Sequence, residues 1–171
     1  MDIPLTSAIQ IRPILPEEID AARYLILSVA RTIYAPDQTA EAFNEPFIAD
    51  TAFFADMDLQ HGDYLLPDGL LLVALDDGRL IGTGAVRRHD EQTAELKRMW
   101  LLEGYHGQGI GYRLLLALID FARQKGYRRM VLTTGDIQER AIQFYRRVGF
   151  EPIALYLPKQ DEGDVAMEMM L

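Results

Sequence analysis

The 171-residue chain contains no cysteine. That excludes a disulfide framework, a thiolate metal site and a cysteine nucleophile, so any covalent thiol chemistry has to be brought by a ligand. Long apolar runs are also missing. The longest, "LLLVAL" at Leu70–Leu75, is far short of the roughly 20 residues a membrane-spanning helix needs. The opening "MDIPLTSAIQ" has no basic segment leading into an apolar core, so no secretory signal is expected and the chain is expected in the cytoplasm. Basic residues are scarce in the first half: Met1–Val86 holds 4 against 14 acidic, whereas Arg87–Leu171 holds 13 against 12, for a formal net charge of -9. A general nucleic-acid binder needs a basic patch to neutralise phosphates, and this balance argues against one. The acidic half reads first as solvated surface and second as a field attracting a cationic small molecule. His61 and His89 have no partner at metal-ligand spacing, so no metal is expected. With no repeat, low-complexity tract or linker, residues 1–171 are expected to form one domain.

What is present is a succession of distinct patterns. "AIQIRPI" alternates as a short strand. "PEEIDAARYLILSVARTIY" opens a helix with an early proline and acidic first turn, and Ile19, Ala22, Ile26, Val29 and Ile33 recur on one face. From Asp37 to Asp68 the pattern weakens into one or two short helices, interrupted before Pro46, and the loop "LQHGDYLLPDG". Apolar runs divided by "DDG" and "HDEQ" then predict three antiparallel strands, roughly Leu70–Leu75, Arg79–Arg88 and Thr93–Leu102. A helix from about Gly109 to Lys125 follows, with Ile110, Leu114, Leu118 and Phe121 as its buried stripe. After it come a strand "RRMVLTT", a helix "QERAIQFYRRV" burying Ala141, Phe144 and Val148, and a closing strand pair, "FEPIALYL" and "VAMEMML", across "PKQDEG". This is an α/β pattern, with C-terminal strands that could pair with a second copy.

The stretch "GQGIG", Gly107–Gly111, stands between the third strand and its helix. A strand feeding a glycine-rich turn and then a helix presents unpaired N–H groups at the positive end of a helix dipole, which is an anion site. Glycine lets a phosphate approach the amides and permits φ values that other residues resist. A P-loop would end in Gly-Lys-Ser/Thr, but here the turn continues Gly111-Tyr112-Arg113. A dinucleotide fingerprint would read G-x-G-x-x-G in an early unit of a parallel sheet; this one reads G-x-G-x-G after an antiparallel meander.

"AELKRMWLLEGYHGQGIGYRLL" followed by "AIQFYRRVGF" resembles the GNAT superfamily of acetyl-CoA-dependent N-acetyltransferases, whose pyrophosphate motif is Q/R-x-x-G-x-G/A. The resemblance covers about Leu70–Leu157. It implies a mixed, mostly antiparallel central sheet flanked by helices and splayed at the coenzyme site. It also implies acetyl-CoA as co-substrate, no metal, and an amine acceptor, either a small molecule or a peptide. His106, Gly107, Gln108, Gly109, Ile110, Gly111, Tyr112 and Arg113 would then hold the pyrophosphate, with Gln138 at the start of the later helix. Met99, Trp100 and Leu101 would run beside pantetheine, and an amide near Met99 would polarise the thioester carbonyl. Three positions depart from the family pattern: His106 replaces Arg or Gln, Gln138 replaces a common Asn, and Glu103-Gly104 replaces Pro-Glu.

Acyl transfer to an amine needs a base for the amine proton and an acid for the departing thiolate. By position in the family, Tyr145 is the candidate acid. Glu95 is the candidate base, acting directly or through water. Without cysteine, direct attack in a ternary complex is the expected route. The acceptor is expected against the N-terminal helices and the "LQHGDYLLPDG" loop. Arg87-Arg88, Arg128-Arg129 and Arg146-Arg147 read as solvated surface. A non-catalytic acyl-CoA-binding module and a different phosphate-ligand enzyme remain as rivals.

Overall fold

In the computed structural model, residues 8–158 and 162–171 are described. The elements are β1 (Ile9–Pro13), α1 (Ile19–Tyr34), α2 (Ala40–Ala49), β2 (Leu70–Asp76), β3 (Arg79–Arg88), β4 (Thr93–Leu101), α3 (Ile110–Gln124), β5 (Arg129–Gly135), α4 (Glu139–Val148), β6 (Glu151–Ile153) and β7 (Asp164–Met170). The strands form one sheet in the order β1-β2-β3-β4-β5-β7-β6. β4 and β5 are its parallel pair, and the other neighbours are antiparallel. The mixed, mostly antiparallel α/β architecture expected from the sequence is therefore present. Between β2 and β3 both Asp77 (φ 48) and Gly78 (φ 79) are left-handed, as a two-residue hairpin turn of this twist requires.

Each face of the sheet has its own core. On one, α3 presses Ile110, Leu114, Leu115, Leu118, Ile119 and Ala122 against Leu72, Ala74 and Val86. Each fully buried aliphatic side chain there contributes about 1.5–3 kcal/mol. Leu71 and Ala85 point to the other face, as strand alternation requires, and meet Ala22, Ile26 and Leu27 of α1 with Phe54 and Met57.

Several sequence expectations need correction. Val29 and Ile33 leave the core and line a groove instead, while Leu25 and Leu27 are buried. Pro46 lies inside α2 rather than ending it; Thr39 caps the helix start by accepting from the Ala42 N–H at 3.2 Å, and Asp50 N–H still reaches the Pro46 carbonyl at 3.0 Å. In α4, Tyr145 is the buried residue, whereas Ala141, Phe144 and Val148 are only partly buried. The strand expected over Phe150–Leu157 stops at Ile153. Residues 1–7, and 159–161 of the "PKQDEG" loop, lie outside the described residues.

The sheet opens at β4. It pairs with β5 only over Thr93–Glu95, against Arg129–Val131, although both strands continue. Beyond the last pair β4 bulges: Thr83 faces Trp100 and Ala85 faces Lys97, so Arg98 and Met99 share Gly84 as partner. A bulge of this kind sharpens the local twist and ends pairing. Arg98 sits at φ 54, which costs a non-glycine residue roughly 1–2 kcal/mol. Its guanidinium bonds Asp56 at 2.8 and 2.9 Å and the Phe53 carbonyl at 2.7 Å. It also lies over the rings of Phe53 and Phe54, and its carbonyl accepts from the Thr83 hydroxyl at 2.7 Å. A Cβ on Gly84 would lie 2.7 Å from the Met99 sulfur and 3.0 Å from the Leu118 side chain, so those side chains would have to shift to admit one.

The Arg98–Asp56 pair generates a stability prediction. Burial alone would raise the Asp56 pKa, but hydrogen bonds and charge from Arg98, joined by the Tyr64 hydroxyl, bring it below the ordinary aspartate value. A depressed folded pKa stabilises above the unfolded value and loses that contribution as pH falls. Asp56→Asn should cost about 3 kcal/mol at neutral pH, measured by urea denaturation. The gap from wild type should narrow as pH falls below about 4; a gap independent of pH would contradict the assignment.

Candidate active site

The glycine turn forms an amide cradle. Gly107 (φ 78) and Gly109 (φ 77) are left-handed, and a Cβ on either would meet open space, so conformation is what demands glycine there. Gly111 is helical and has room for a Cβ, with the Phe144 ring 3.9 Å away. Gly109 is the N-cap of α3, and the first helical bond onto it comes from the Arg113 N–H at 3.0 Å. The amides from Gly107 to Tyr112 make no hydrogen bond among the described residues. They stand at the positive end of a 15-residue helix, which fits a bound diphosphate.

This cradle opens into a groove of about 920 Å³ that runs to the splay, between α4 and Val29, Thr32 and Ile33 of α1. Arg140 and Arg147 of α4 line its wall with Glu103 and Glu139, and Arg140 pairs with Glu103 at 3.5 Å. Within β4, Leu102 N–H bonds the Ile81 carbonyl at 3.0 Å. Strand alternation then turns the Leu101 and Met99 backbone groups away from β3, toward the gap. His106 donates its Nε2–H to the Leu101 carbonyl at 3.0 Å, bracing the turn against the strand.

On the other side of the splay is a second cavity of about 620 Å³, walled by Phe53, Asp56 and Asp63 from the segment after α2, by β4, and by Leu132, Thr133 and Thr134 of β5. Met99, Trp100, Gln138 and Tyr145 line both spaces, so these four residues mark where groove and cavity meet. Tyr145 is 7% exposed, its ring packs against Phe150, and its hydroxyl has no hydrogen-bond partner among the described residues. Burial pushes its pKa far above the ordinary tyrosine value, so it stays protonated. Gln138 precedes α4 and bonds the Tyr34 hydroxyl of α1.

Glu95 is fully buried. Arg87 Nε donates to one carboxylate oxygen at 2.6 Å and the Tyr156 hydroxyl to the other at 3.0 Å, while a second Arg87 nitrogen holds Asp63 at 2.7 Å. Tyr156 reaches Glu95 because the chain leaves the sheet after Ile153. Burial and then the charge of Glu95 raise the Tyr156 pKa.

Most expected site residues converge on the groove. Met99, Trp100, Leu101, His106, Gly107, Gly109, Ile110, Gly111, Tyr112, Gln138 and Tyr145 all line it. Three do not. Gln108 turns back to the Gly104 carbonyl at 3.1 Å. Arg113 reaches across to the Ile9 carbonyl of β1 at 3.1 Å. Glu95 lies behind Arg87, outside both spaces. Conversely, Arg87 and Arg147, read as solvated surface, line the cavity and the groove. Arg147 falls three residues after Phe144 on one face of α4, a spacing that pointed to the groove. Nothing in the pattern before β2 marked Asp56 or Asp63. No group of His, Asp or Glu among the described residues could hold a metal ion, and no described helix is long and apolar enough to cross a membrane.

Comparison with known proteins agrees with this geometry. An uncharacterized N-acetyltransferase of Mycobacterium tuberculosis is 34% identical over 104 residues, 58% of this chain and 67% of that protein. N-acetyltransferase family 8 member 2 of Rattus norvegicus is 33% identical over 98 residues, covering 54% of this chain and 43% of that protein. In fold, the PaiA N-acetyltransferase of Thermoplasma acidophilum, solved in complex with coenzyme A, superposes with a TM-score of 0.71 at 22% identity, covering 96% of this chain and 99% of that one. A GNAT-family acetyltransferase of Staphylococcus aureus gives the same TM-score at 21% identity, covering 95% and 99%. The model of the acetyltransferase (GNAT) family matches residues 31–150, a span that includes the bulged strand, the amide cradle and Tyr145, and this chain belongs to that family of acetyltransferases.

Proposed function

We propose that the chain transfers an acetyl group from acetyl-CoA to a primary amine by direct attack in a ternary complex. The observation that carries this reading is the junction, where a groove headed by an amide cradle meets a separate cavity at Met99, Trp100, Gln138 and Tyr145. Acetyl-CoA supplies an activated acetyl thioester. The free amides of residues 107–112 suit its diphosphate, and Arg147 on the groove wall adds attraction for its negative charge. The exposed β4 edge offers hydrogen bonds to an extended amide-bearing arm, and the Met99 N–H suits the carbonyl oxygen on which charge develops.

Tyr145 is assigned the proton donor to the departing thiolate. A neutral hydroxyl without an internal partner, held against Phe150, is ready to donate. Glu95 is assigned a positioning role instead of direct base. Its two oxygens are bonded to Arg87 and Tyr156, and it has no face on the cavity. It fixes Arg87 in the cavity wall, and the amine proton leaves to water in the open cavity.

Three outcomes follow. Tyr145→Phe should lower kcat about 100-fold with acetyl-CoA affinity unchanged, by calorimetry beside an assay of released coenzyme thiol; full activity in the variant removes the acid role. Gly109→Val, forced to φ 77, should weaken acetyl-CoA binding at least about 10-fold by the strain it adds. Wild-type protein that takes up no coenzyme A would end the reading altogether. Glu95→Gln should lower thermal stability and rate while keeping the shape of the pH–rate profile; loss of the acidic limb alone would instead identify a direct base.

A further inference from the structure

The cavity wall carries an ammonium that no side chain among the described residues bonds. Arg87, Lys97 and Arg98 all line it. Arg87 holds Glu95 and Asp63, and Arg98 holds Asp56 together with the Phe53 carbonyl. Lys97, on β4 next to Arg98, is partly buried. Its ammonium makes no hydrogen bond or ion pair among the described residues. The carboxylates that act on it, Glu95 and Asp56, are each already bonded to an arginine, and Arg87 and Arg98 repel it. Burial is the largest influence on its ammonium and lowers its pKa from the ordinary lysine value. A partly buried ammonium that makes no hydrogen bond is poorly satisfied, and a carboxylate delivered by a ligand supplies that bond.

We infer that the cavity selects amines that also carry a carboxylate, with Lys97 as the counterion that receives it. The inference rests on the acetyl-transfer reading for the direction in which the amine points. It reverses the expectation of a cationic acceptor, because Asp56 and Asp63, the acidic side chains on the cavity wall, are tied to Arg98 and Arg87. A volume of about 620 Å³ suits a molecule the size of an amino acid or short peptide. Lys97 and Met99 both line the cavity, so one small ligand can meet both.

The test pairs amino acids with their C-terminal amides, equal in size and different in charge. Thiol release is measured with both series. Calorimetry on protein loaded with coenzyme A uses the N-acetylated acids and N-acetylated amides. The carboxylate members should be favoured about 10- to 100-fold in both assays, the range of a charge-assisted contact. Lys97→Met should bring that ratio close to one and Lys97→Arg should largely restore it. Lys97→Gln serves if the Met variant does not fold, as judged by circular dichroism. Amides bound as well as acids by wild type, or an unchanged ratio in Lys97→Met, overturn the inference. A carboxylate preference in calorimetry without thiol release from any amine would refute acetyl transfer and leave the carboxylate site standing.

Discussion

The active architecture depends on the anchoring of Arg98. Left to its own propensities, β4 would continue pairing with β5, since every extra ladder bond satisfies backbone groups that otherwise need partners. Here pairing stops after Glu95, and the bulge at Arg98–Met99 redirects the strand. The left-handed backbone of Arg98 is unfavourable in isolation. It persists because Asp56, the Phe53 carbonyl and two aromatic rings hold the guanidinium from a segment 42 to 45 residues earlier in the chain. Strain kept at one residue by contacts elsewhere is common where a fold must present an unusual surface. What it presents is a strand edge with free amides beside a buried tyrosine, which an unbroken sheet would cover.

The same anchor couples the two halves of the site. Asp56 and Phe53, which fix the bulge, also wall the acceptor cavity. Met99, released by the bulge, lines both cavity and groove. On the groove side the glycine turn and α3 form a rigid counterpart, because α3 is buried along its whole inner stripe and cannot shift without disturbing the main core. On the proposed reading, the coenzyme groove starts at the well-packed end of α3, whereas the acceptor cavity takes part of its wall from the irregular turns after α2, where sequence can vary at less cost to the core.

The fold was largely legible in the sequence for physical reasons that operate locally. The helix period of α3, the Asp77-Gly78 turn and the short apolar run of β5 each specify their element without reference to distant residues, and the splay was implied by the family resemblance. Pro46 misled because a capped helix tolerates the loss of one internal bond. The site was legible where its chemistry belongs to the backbone, as at Gly107 and Gly109, whose φ values require glycine. It was not legible where function depends on pairing across the chain. Glu95 was expected to act as base directly or through water, yet Arg87 and Tyr156 enclose its carboxylate. Arg113, next to the cradle in sequence, is carried away from it by a contact to β1.

Charge shows the same limit most plainly. The first half of the chain is strongly acidic by count, and counting alone suggests a field that attracts cations. A field at a cavity wall is set by the groups that lack partners there and are poorly screened, not by a regional sum. Asp56 and Asp63 come from the acidic half, but each meets an arginine from the sheet, and Arg87 also holds Glu95, so two arginines bond three carboxylates and Lys97 brings the sum to zero. Asp20, Asp50 and Asp37 lie on exposed surface where solvent and salt dominate. What distinguishes Lys97 in that balanced cluster is that its ammonium has no bonded partner among the described residues. A ligand gains most from the group that still lacks a bond, so on the proposed reading the selectivity of the cavity follows the side chain that pairing leaves over and not the charge sum.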